Sequence, residues 1–130
     1  MILKVKNDLF DYPNRYIMQI KDGFKFSLDS LLLAEFTKLR QSDKLILDMC
    51  TGNAPVPLVL SLKTDAKIIG FELQRAIAGL AWESISINGL DKQITVINSR
   101  LRFSYRAVRP SGSSQRASQD VPKSFRRQRS

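Results

Sequence analysis

Histidine is absent from this sequence of 130 residues, and cysteine occurs only once, at Cys50. The chain therefore holds neither a zinc site of the Cys/His type nor an imidazole acid–base catalyst, and an internal disulfide is excluded. No apolar run approaches the roughly 18 residues that a membrane-spanning helix needs. The opening MILKVKNDLF lacks the long apolar stretch of a signal peptide. These absences predict a cytoplasmic protein without a metal and without a membrane partner.

Acidic residues are scarce only in the last quarter of the chain. Residues 1–99 hold 12 Lys and Arg against 11 Asp and Glu, whereas residues 100–130 hold 9 against 1. The net charge of +9 is therefore a property of the tail and not of the part that precedes it. With 43% hydrophobic residues, the chain has enough apolar side chains for one domain of ordinary size.

Before the tail, the pattern predicts strands that alternate with helices. Residues 3–20 are expected to form a β-hairpin, or two short extended segments, around a turn at 11–14. The later segments are predicted to be a helix over 28–40, a buried strand over 44–49, a short helix over 55–62, a buried strand over 67–72, an amphipathic helix over 74–88 and a strand over 93–98. The short links of this β-α-β-α-β order demand parallel strands with right-handed crossovers, as in half of a doubly wound sheet.

The helix over 28–40 is the most clearly marked of these elements. Its apolar residues recur at spacings of three and four: Leu28, Leu31, Leu32, Phe36 and Leu39. This spacing is typical of an amphipathic helix. Ser27 is a candidate N-cap, because a serine at that position can accept from a free backbone amide of the first turn.

Two acids at neighbouring strand ends, with a glycine turn between them, predict a ligand site. Asp48 ends the first parallel strand, and Glu72 ends the second, 20 residues after Gly52. Ligands of open parallel sheets bind at the carboxyl ends of the strands. A carboxylate about 20 residues beyond a glycine turn can accept both hydroxyls of a ribose. The pattern favours a nucleoside-like ligand, and the alternative is a structural turn beside two solvated acids.

The glycines of a pyrophosphate-binding fingerprint are missing from this turn. Ala54, Pro55 and Pro57 stand where further glycines and free amides are needed. This substitution argues against NAD or FAD. It favours a ligand without a pyrophosphate.

Three motifs then occur in order: FKFSLDSLLLAEF, LILDMCTGNAPVPLVLS and KIIGFELQ. From about Asp8 to Asn98, the chain resembles the class I S-adenosylmethionine-dependent methyltransferases, and within them the valine-tRNA adenine-N6 methyltransferases. The resemblance implies an α/β fold, in which residues 1–98 form the N-terminal, cofactor-binding half of a methyltransferase domain. Within it, a β-hairpin and a helix precede half of a doubly wound, Rossmann-like sheet. It also implies S-adenosylmethionine as the cofactor and an adenine N6 amine of tRNA as the methyl acceptor.

The resemblance further implies a set of cofactor-binding residues. The D-x-x-T-G-N loop would pass beneath the methionine part of the cofactor. The acid that ends the second strand would hold the ribose hydroxyls, and the leucine after it would lie against the adenine. Ser27 and Asp29 would close the pocket from the N-terminal side. The set comprises Ser27, Asp29, Asp48, Thr51, Gly52, Asn53, Glu72 and Leu73.

Two parts of the family pattern are missing. The family commonly has an acid just after the third strand, where this chain has Asn98-Ser99-Arg100. The adenine-N6 enzymes also carry Asn-Pro-Pro-Tyr, whose asparagine accepts from the target amine while the aromatic ring stacks on the flipped base. This chain has no asparagine after Asn98 and no Pro-Pro pair. We therefore expect a truncated enzyme that is inactive alone, and no catalytic residue is assigned.

Residues 99–130 show no period of a helix or a strand and are rich in Arg and Ser, which predicts a disordered basic tail. One interpretation is translation in a shifted frame, in which case another frame of the same DNA encodes an Asn-Pro-Pro-aromatic motif. The other is an RNA-binding arm with Phe103, Tyr105 and Phe125 available to stack, or a solvated tail without a role. The alternative function is accordingly a non-catalytic nucleotide- or RNA-binding module on the same half-fold.

Overall fold

The computed structural model describes residues 2–23 and 25–99. In chain order, its elements are β1 (Lys4–Asp8), β2 (Tyr16–Ile20), α1 (Leu28–Phe36), β3 (Leu45–Met49), α2 (Pro55–Leu60), β4 (Lys67–Glu72), α3 (Arg75–Ile87) and β5 (Ile94–Asn98). Each element predicted up to residue 98 is present, in the predicted order. The predicted basic tail lies outside the described residues from residue 100 onward. None of the described helices is both long and apolar enough to cross a membrane.

The strands form two separate sheets. β1 and β2 pair antiparallel around the predicted turn, with Asn7 opposite Ile17. The other three strands form a parallel sheet in the order β3-β4-β5, in which Gly70 lies between Asp48 on β3 and Val96 on β5. The prediction of half a doubly wound sheet, preceded by a hairpin and a helix, is therefore confirmed.

The hydrophobic core lies on one face of the parallel sheet. Ile68, Ile94 and Val96 point into it from β4 and β5. The hairpin, the helices and the loop before α2 supply its other buried side chains: Leu9, Ile17, Leu31, Ala34, Ala54, Leu58, Val59, Leu60, Ala78, Ala81 and Ile85. Full burial of an isoleucine such as Ile68 stabilises the fold by roughly 1.5–3 kcal/mol.

The opposite face of the parallel sheet is exposed. Along β3, the exposed Leu45, Leu47 and Met49 alternate with the partly covered Ile46 and Asp48. The prediction that 44–49 forms a buried strand is therefore wrong, because β3 is an edge strand and no described element covers its second face. A continuous apolar run is typical of a strand that is covered on both faces. Within the described chain, only one of the two covers is present.

Helix α1 is shorter and more exposed than its apolar spacing predicts. It ends at Phe36 instead of reaching residue 40, and the hydroxyl and the amide of Thr37 both donate to the Leu33 carbonyl, at 2.6 and 3.0 Å. The buried residues of this helix are Leu31 and Ala34. Three members of the predicted stripe are exposed instead, namely Leu28, Leu32 and Phe36. The stripe is narrow because α1 packs mainly on α2.

Side chains of the α3 region satisfy the outer edge of β2. Asn88 accepts from the Tyr16 amide at 2.9 Å and donates to the Tyr16 carbonyl at 2.6 Å. The Ser84 hydroxyl accepts from the Met18 amide at 2.9 Å. Backbone groups left unpaired at a sheet edge invite unwanted strand pairing. Here the hydrogen bonds with Asn88 and Ser84 satisfy the edge of β2 and also dock the hairpin against α3.

The one tryptophan of the chain ties α3 to β5. Its indole nitrogen, Trp82 Nε1, donates to the Val96 carbonyl at 2.9 Å. The Gln93 carbonyl and the Ser99 amide bond to β4. Because backbone groups alternate in direction along a strand, the Val96 carbonyl faces the outer edge of β5. The indole therefore satisfies a carbonyl that has no strand partner among the described residues.

Candidate functional site

The loop after β3 has an unusual backbone conformation at alternate residues. Cys50, Gly52 and Ala54 have φ angles of 62°, 61° and 72°. Gly52 is the predicted turn glycine, and it adopts this left-handed region without a steric penalty. Cys50 and Ala54 each carry a Cβ atom there, which costs roughly 1–2 kcal/mol per residue. Strained residues of this kind cluster at functional sites, which makes the loop a candidate segment.

Thr51 anchors this loop to the parallel sheet. Its hydroxyl donates to Asp48 Oδ2 at 2.6 Å, and its amide donates to the Phe71 carbonyl at 2.9 Å. A Cβ atom at Gly70 would lie 2.8 Å from the Thr51 side chain. The glycine of β4 therefore makes room for Thr51, and the loop lies directly against the central strand.

Asp48 supports the loop from the covered side of β3. Burial raises the pKa of its carboxyl above the ordinary value of 3.8, and the hydrogen bond from Thr51 partly opposes that rise. Asp48 is not among the residues that line the cavity described below. Its predicted contact with a cofactor stays a prediction, and its observed contact is with Thr51.

Glu72 meets the loop from the end of β4. It is only 9% exposed, and each of its carboxylate oxygens accepts from a backbone amide. The Gly52 amide donates to Oε2 at 3.1 Å, and the Gln74 amide donates to Oε1 at 2.8 Å. The structure thus brings the two halves of the predicted ligand site, the glycine turn and the acid, into direct contact.

The turn and the acid line one cavity of about 340 Å³. Four of the predicted site residues form part of its wall: Thr51, Gly52, Asn53 and Glu72. The rest of the wall consists of Phe26, Ser30, Cys50, Pro55, Gln74, Ile77 and Leu80. Small-molecule sites of roughly 300–1,000 Å³ combine apolar walls with a few convergent polar groups. This cavity fits that description at its lower end.

Ser27, Asp29 and Leu73 lie outside the cavity wall. Ser27 occupies the predicted N-cap position of α1, but its hydroxyl makes no capping hydrogen bond, and Asp29 is exposed in the first turn. Leu73 is 59% exposed. Residues next to each of them in sequence do line the wall. The cofactor contacts of these three side chains stay predictions.

Asn53 links the loop to the hairpin. Its amide nitrogen donates to the Met18 carbonyl at 2.9 Å, on the edge of β2 that faces α3. Asn53 therefore lines the cavity and holds the hairpin beside it. The sequence pattern contains no signal for this contact, because the two residues are 35 positions apart.

Among the residues outside the predicted set, Phe26, Gly70 and Asn98 make contacts that shape the site. Phe26 supplies an aromatic wall, Gly70 accommodates Thr51, and the Asn98 amide donates to the carbonyls of Glu72 and Leu73 at 2.8 and 2.9 Å. A glycine inside a strand often marks a close approach of another segment, so Gly70 could have been found from the sequence. The position of Asn98 depends on the pairing of β5 with β4 and has no such signal.

A cavity of about 350 Å³ lies at the opposite ends of the strands. Its wall includes Arg40, Lys44 and Lys63, but the Lys63 ammonium is already paired with Glu35 at 2.7 Å. Ligands of parallel sheets bind at the carboxyl ends, so the cavity beside Glu72 is the candidate site. Nowhere in the described part of the chain do three or more Cys, Asp or Glu side chains form a potential metal site.

No family model and no curated protein matches the chain. Solved structures do match it. P. horikoshii TYW2 in complex with MeSAdo aligns with a TM-score of 0.55 and 20% identity over 67% of this chain and 33% of that one. The putative transferase PH0793 from Pyrococcus horikoshii aligns with a TM-score of 0.53 and 20% identity over 65% of this chain and 32% of that one. Methanocaldococcus jannaschii Trm5 in complex with adenosine aligns with a TM-score of 0.52 and 18% identity over 65% of this chain and 27% of that one.

This chain has part of a Rossmann-like methyltransferase fold. The shared region is the three-stranded parallel sheet with its helices. At identities of 20% and below, the similarity establishes the fold alone. The chain spans between 27% and 33% of the length of these solved structures.

Proposed function

We propose that residues 1–98 are the cofactor-binding half of a class I S-adenosylmethionine-dependent methyltransferase that acts on an adenine N6 amine in tRNA. The observation that carries this proposal is the contact between the Gly52 amide and the Glu72 carboxylate, at 3.1 Å. It places a nearly buried acid and a positive-φ glycine turn at the carboxyl ends of neighbouring parallel strands. That is where an open α/β sheet binds a nucleoside.

The Glu72 carboxylate retains the capacity to bind a ribose. An ionised carboxylate offers about four lone-pair positions. The amides of Gly52 and Gln74 use two of them. Two positions are left for the 2′- and 3′-hydroxyls of a ribose. Because the two amides already orient the carboxylate, ligand binding does not require it to turn.

The remaining wall suits the other parts of S-adenosylmethionine. Ile77 and Leu80 offer apolar surface beside Glu72, which favours the adenine. Pro55 has no amide to donate to a phosphate, which agrees with a ligand that lacks a pyrophosphate. By resemblance to the family, the Thr51–Asn53 segment would lie beneath the methionine part. Leu73 would add to the adenine contact.

Three residues outside the wall complete the proposed site. Ser27 and Asp29 would close the pocket from the N-terminal side, and Asp48 would hold the loop through its hydrogen bond with Thr51. Two solved structures with this fold contain ligands of the nucleoside class, MeSAdo in TYW2 and adenosine in Trm5. Their ligands support the proposed class of cofactor.

The methyl acceptor rests on the resemblance to the adenine-N6 enzymes. The cofactor would supply a methyl group on a positively charged sulfonium, and transfer to an amine would depend mainly on positioning. This chain contains no Asn-Pro-Pro-Tyr motif. We therefore expect the chain to bind the cofactor in the cytoplasm but not to turn over. Robust methyl incorporation into bulk tRNA by this chain alone would contradict that expectation.

Titration of the full chain with S-adenosylhomocysteine in a calorimeter tests the cofactor site. Glu72→Gln keeps the size of the side chain and removes its charge. We expect it to weaken binding about tenfold or more, because a hydrogen bond to a charged acceptor contributes about 1.5–3 kcal/mol. Asp91→Asn is the matched control, since Asp91 is an exposed acid outside the cavity. Absence of binding by the wild type, or equal affinities of the two variants, would refute the site.

Two variants, Asp48→Ala and Glu72→Gln, test the alternative of a non-catalytic nucleotide- or RNA-binding module. RNA binding by such a module would fall steeply with salt, because it would depend on phosphate contacts. It would be indifferent to Asp48→Ala and to Glu72→Gln. That outcome, together with no affinity for S-adenosylhomocysteine, would replace the methyltransferase proposal.

A further inference from the structure

The tip of the hairpin displays a phenylalanine in a strained backbone conformation. Phe10 is 60% exposed and has a φ angle of 43°. It is the first central residue of a turn in which the Tyr12 amide donates to the Leu9 carbonyl at 3.1 Å. A positive φ at that position favours glycine, asparagine or aspartate. A phenylalanine is unfavourable there, and its exposed ring gains little from burial.

Phe10 stands at the border between two concave surfaces. Its ring packs edge to face on Phe26, with centroids 5.4 Å apart and planes at 81°. Phe26 lines the cavity beside Glu72. On the other side, Phe10 lines a groove of about 180 Å³ between the hairpin tip and α1. An exposed aromatic ring thus adjoins both the candidate cofactor site and this second groove.

We propose that Phe10 stacks on an unpaired purine base of an RNA that enters the groove beside the cofactor cavity. Aromatic side chains on which bases stack are a general means of binding single-stranded nucleic acid. The contact with Phe26 uses at most one face of the Phe10 ring and fixes its orientation. The role of this base as the methyl acceptor rests on the proposed function, whereas the stacking itself does not.

The polar groups of the groove favour a base over a phosphate. Glu35 accepts from the Tyr12 hydroxyl and from Lys63, and the former bond raises the pKa of Tyr12 to about 12. Asp11, which lines the same groove, forms no hydrogen bond within the described residues. Carboxylates in this groove repel a phosphate. The Asp11 carboxylate can instead accept a hydrogen bond from the exocyclic amine of a purine.

Fluorescence of 2-aminopurine, a purine whose emission falls on stacking, tests this proposal. A short single-stranded RNA that carries one 2-aminopurine is titrated with the full chain. We expect saturable quenching by the wild type, an apparent affinity about tenfold lower for Phe10→Gly, and recovery with Phe10→Tyr. Because glycine suits the positive φ of this turn, Phe10→Gly is expected to melt no lower than the wild type. Phe36→Ala is the matched control, since Phe36 is 80% exposed and lines neither surface.

Equal quenching by the wild type and by Phe10→Gly would overturn the proposal, and so would absence of quenching by the wild type. If the wild type does not quench but forms a dimer in solution, and if Phe10→Gly is monomeric, the groove is assigned to a second copy of the chain. Titration with S-adenosylhomocysteine separates this proposal from the proposed function. A chain that binds it without quenching 2-aminopurine refutes the stacking site, and a chain that quenches without binding it refutes the cofactor site.

Discussion

The two faces of the parallel sheet are built from similar residues but have different surroundings. On β4, Ile68 is fully buried, whereas the next residue, Ile69, points the other way and is partly exposed. On β3, Ile46 packs against the core, whereas Leu47 is 53% exposed. Apolar residues on both faces are typical of a sheet with two covers. The described elements supply only one of them.

The candidate site depends on the covered face. Thr51 rests on Gly70 at the centre of the sheet, and the Asp48 carboxylate that holds Thr51 also points to the covered side. Glu72 is buried on that same side of β4. The proposed cofactor site is therefore built on the covered face of the sheet. The following changes test that comparison.

Ile68→Ala is expected to have the largest effect. Truncation of a fully buried isoleucine costs about 2–5 kcal/mol, because the transfer free energy is lost and a cavity is left behind. Ile69→Ala is the matched control on the opposite face of the same strand, and we expect a loss of about 1 kcal/mol or less. Urea denaturation followed by circular dichroism measures both. Equal losses would mean that the second face is also covered in solution.

Gly70→Ala tests the contact between β4 and the loop. The added Cβ atom would lie 2.8 Å from Thr51, so we expect a loss of about 1–3 kcal/mol and weaker binding of S-adenosylhomocysteine. Gly79→Ala is the control, because nothing lies within 4 Å of its Cβ position on α3. Alanine there should stabilise the chain by roughly 0.5–1 kcal/mol. Wild-type affinity in Gly70→Ala would show that the loop does not depend on the strand.

Asp48 gives the covered face a dependence on pH. Burial raises its pKa in the folded state above 3.8, so the folded chain keeps this proton where the unfolded chain has lost it. Its contribution to stability is therefore fully present below pH 3.8 and is lost as the pH rises through the raised pKa. The unfolding free energy of Asp48→Asn minus that of the wild type should therefore grow as the pH rises from 3.8 through the raised pKa of Asp48. A difference that stays flat with pH would contradict the assignment.

Leu47→Lys is expected to have the smallest effect on stability, within about 0.5 kcal/mol, because Leu47 lies on the open face. It should nevertheless lower the light scattering of concentrated solutions. An apolar edge strand is a template for pairing between chains, and a lysine there opposes it. Unfolding of the variant at a much lower urea concentration would show that Leu47 is covered in solution.

The strands, the helices and the glycine turn could be predicted because each depends on a local pattern. The contact between Gly52 and Glu72 was also predictable, since their spacing spans one crossover between adjacent parallel strands. The end of α1 was not, because its apolar spacing continues to Leu39 while the helix stops at Phe36. The helix ends where the hydroxyl and the amide of Thr37 both bond to the Leu33 carbonyl, and the apolar spacing gives no signal for that end.

Contacts of the hairpin were likewise beyond the sequence pattern. Asn53 bonds to Met18 on β2, the strand that Ser84 and Asn88 connect to α3. The exposure of β3 was missed for a different reason. An apolar run indicates that a strand can be covered on both faces, but it does not show which covers are present.

The bond between Trp82 and the outer edge of β5 gives the chain an intrinsic optical reporter. Since the sequence contains no other tryptophan, excitation of the indole reports on one place only, the junction of α3 with the last strand. Separation of that strand would free the indole nitrogen from the Val96 carbonyl and expose it to water, which shifts indole emission to longer wavelength. Detachment of β5 can therefore be followed in the unlabelled protein, separately from the loss of helix seen by circular dichroism.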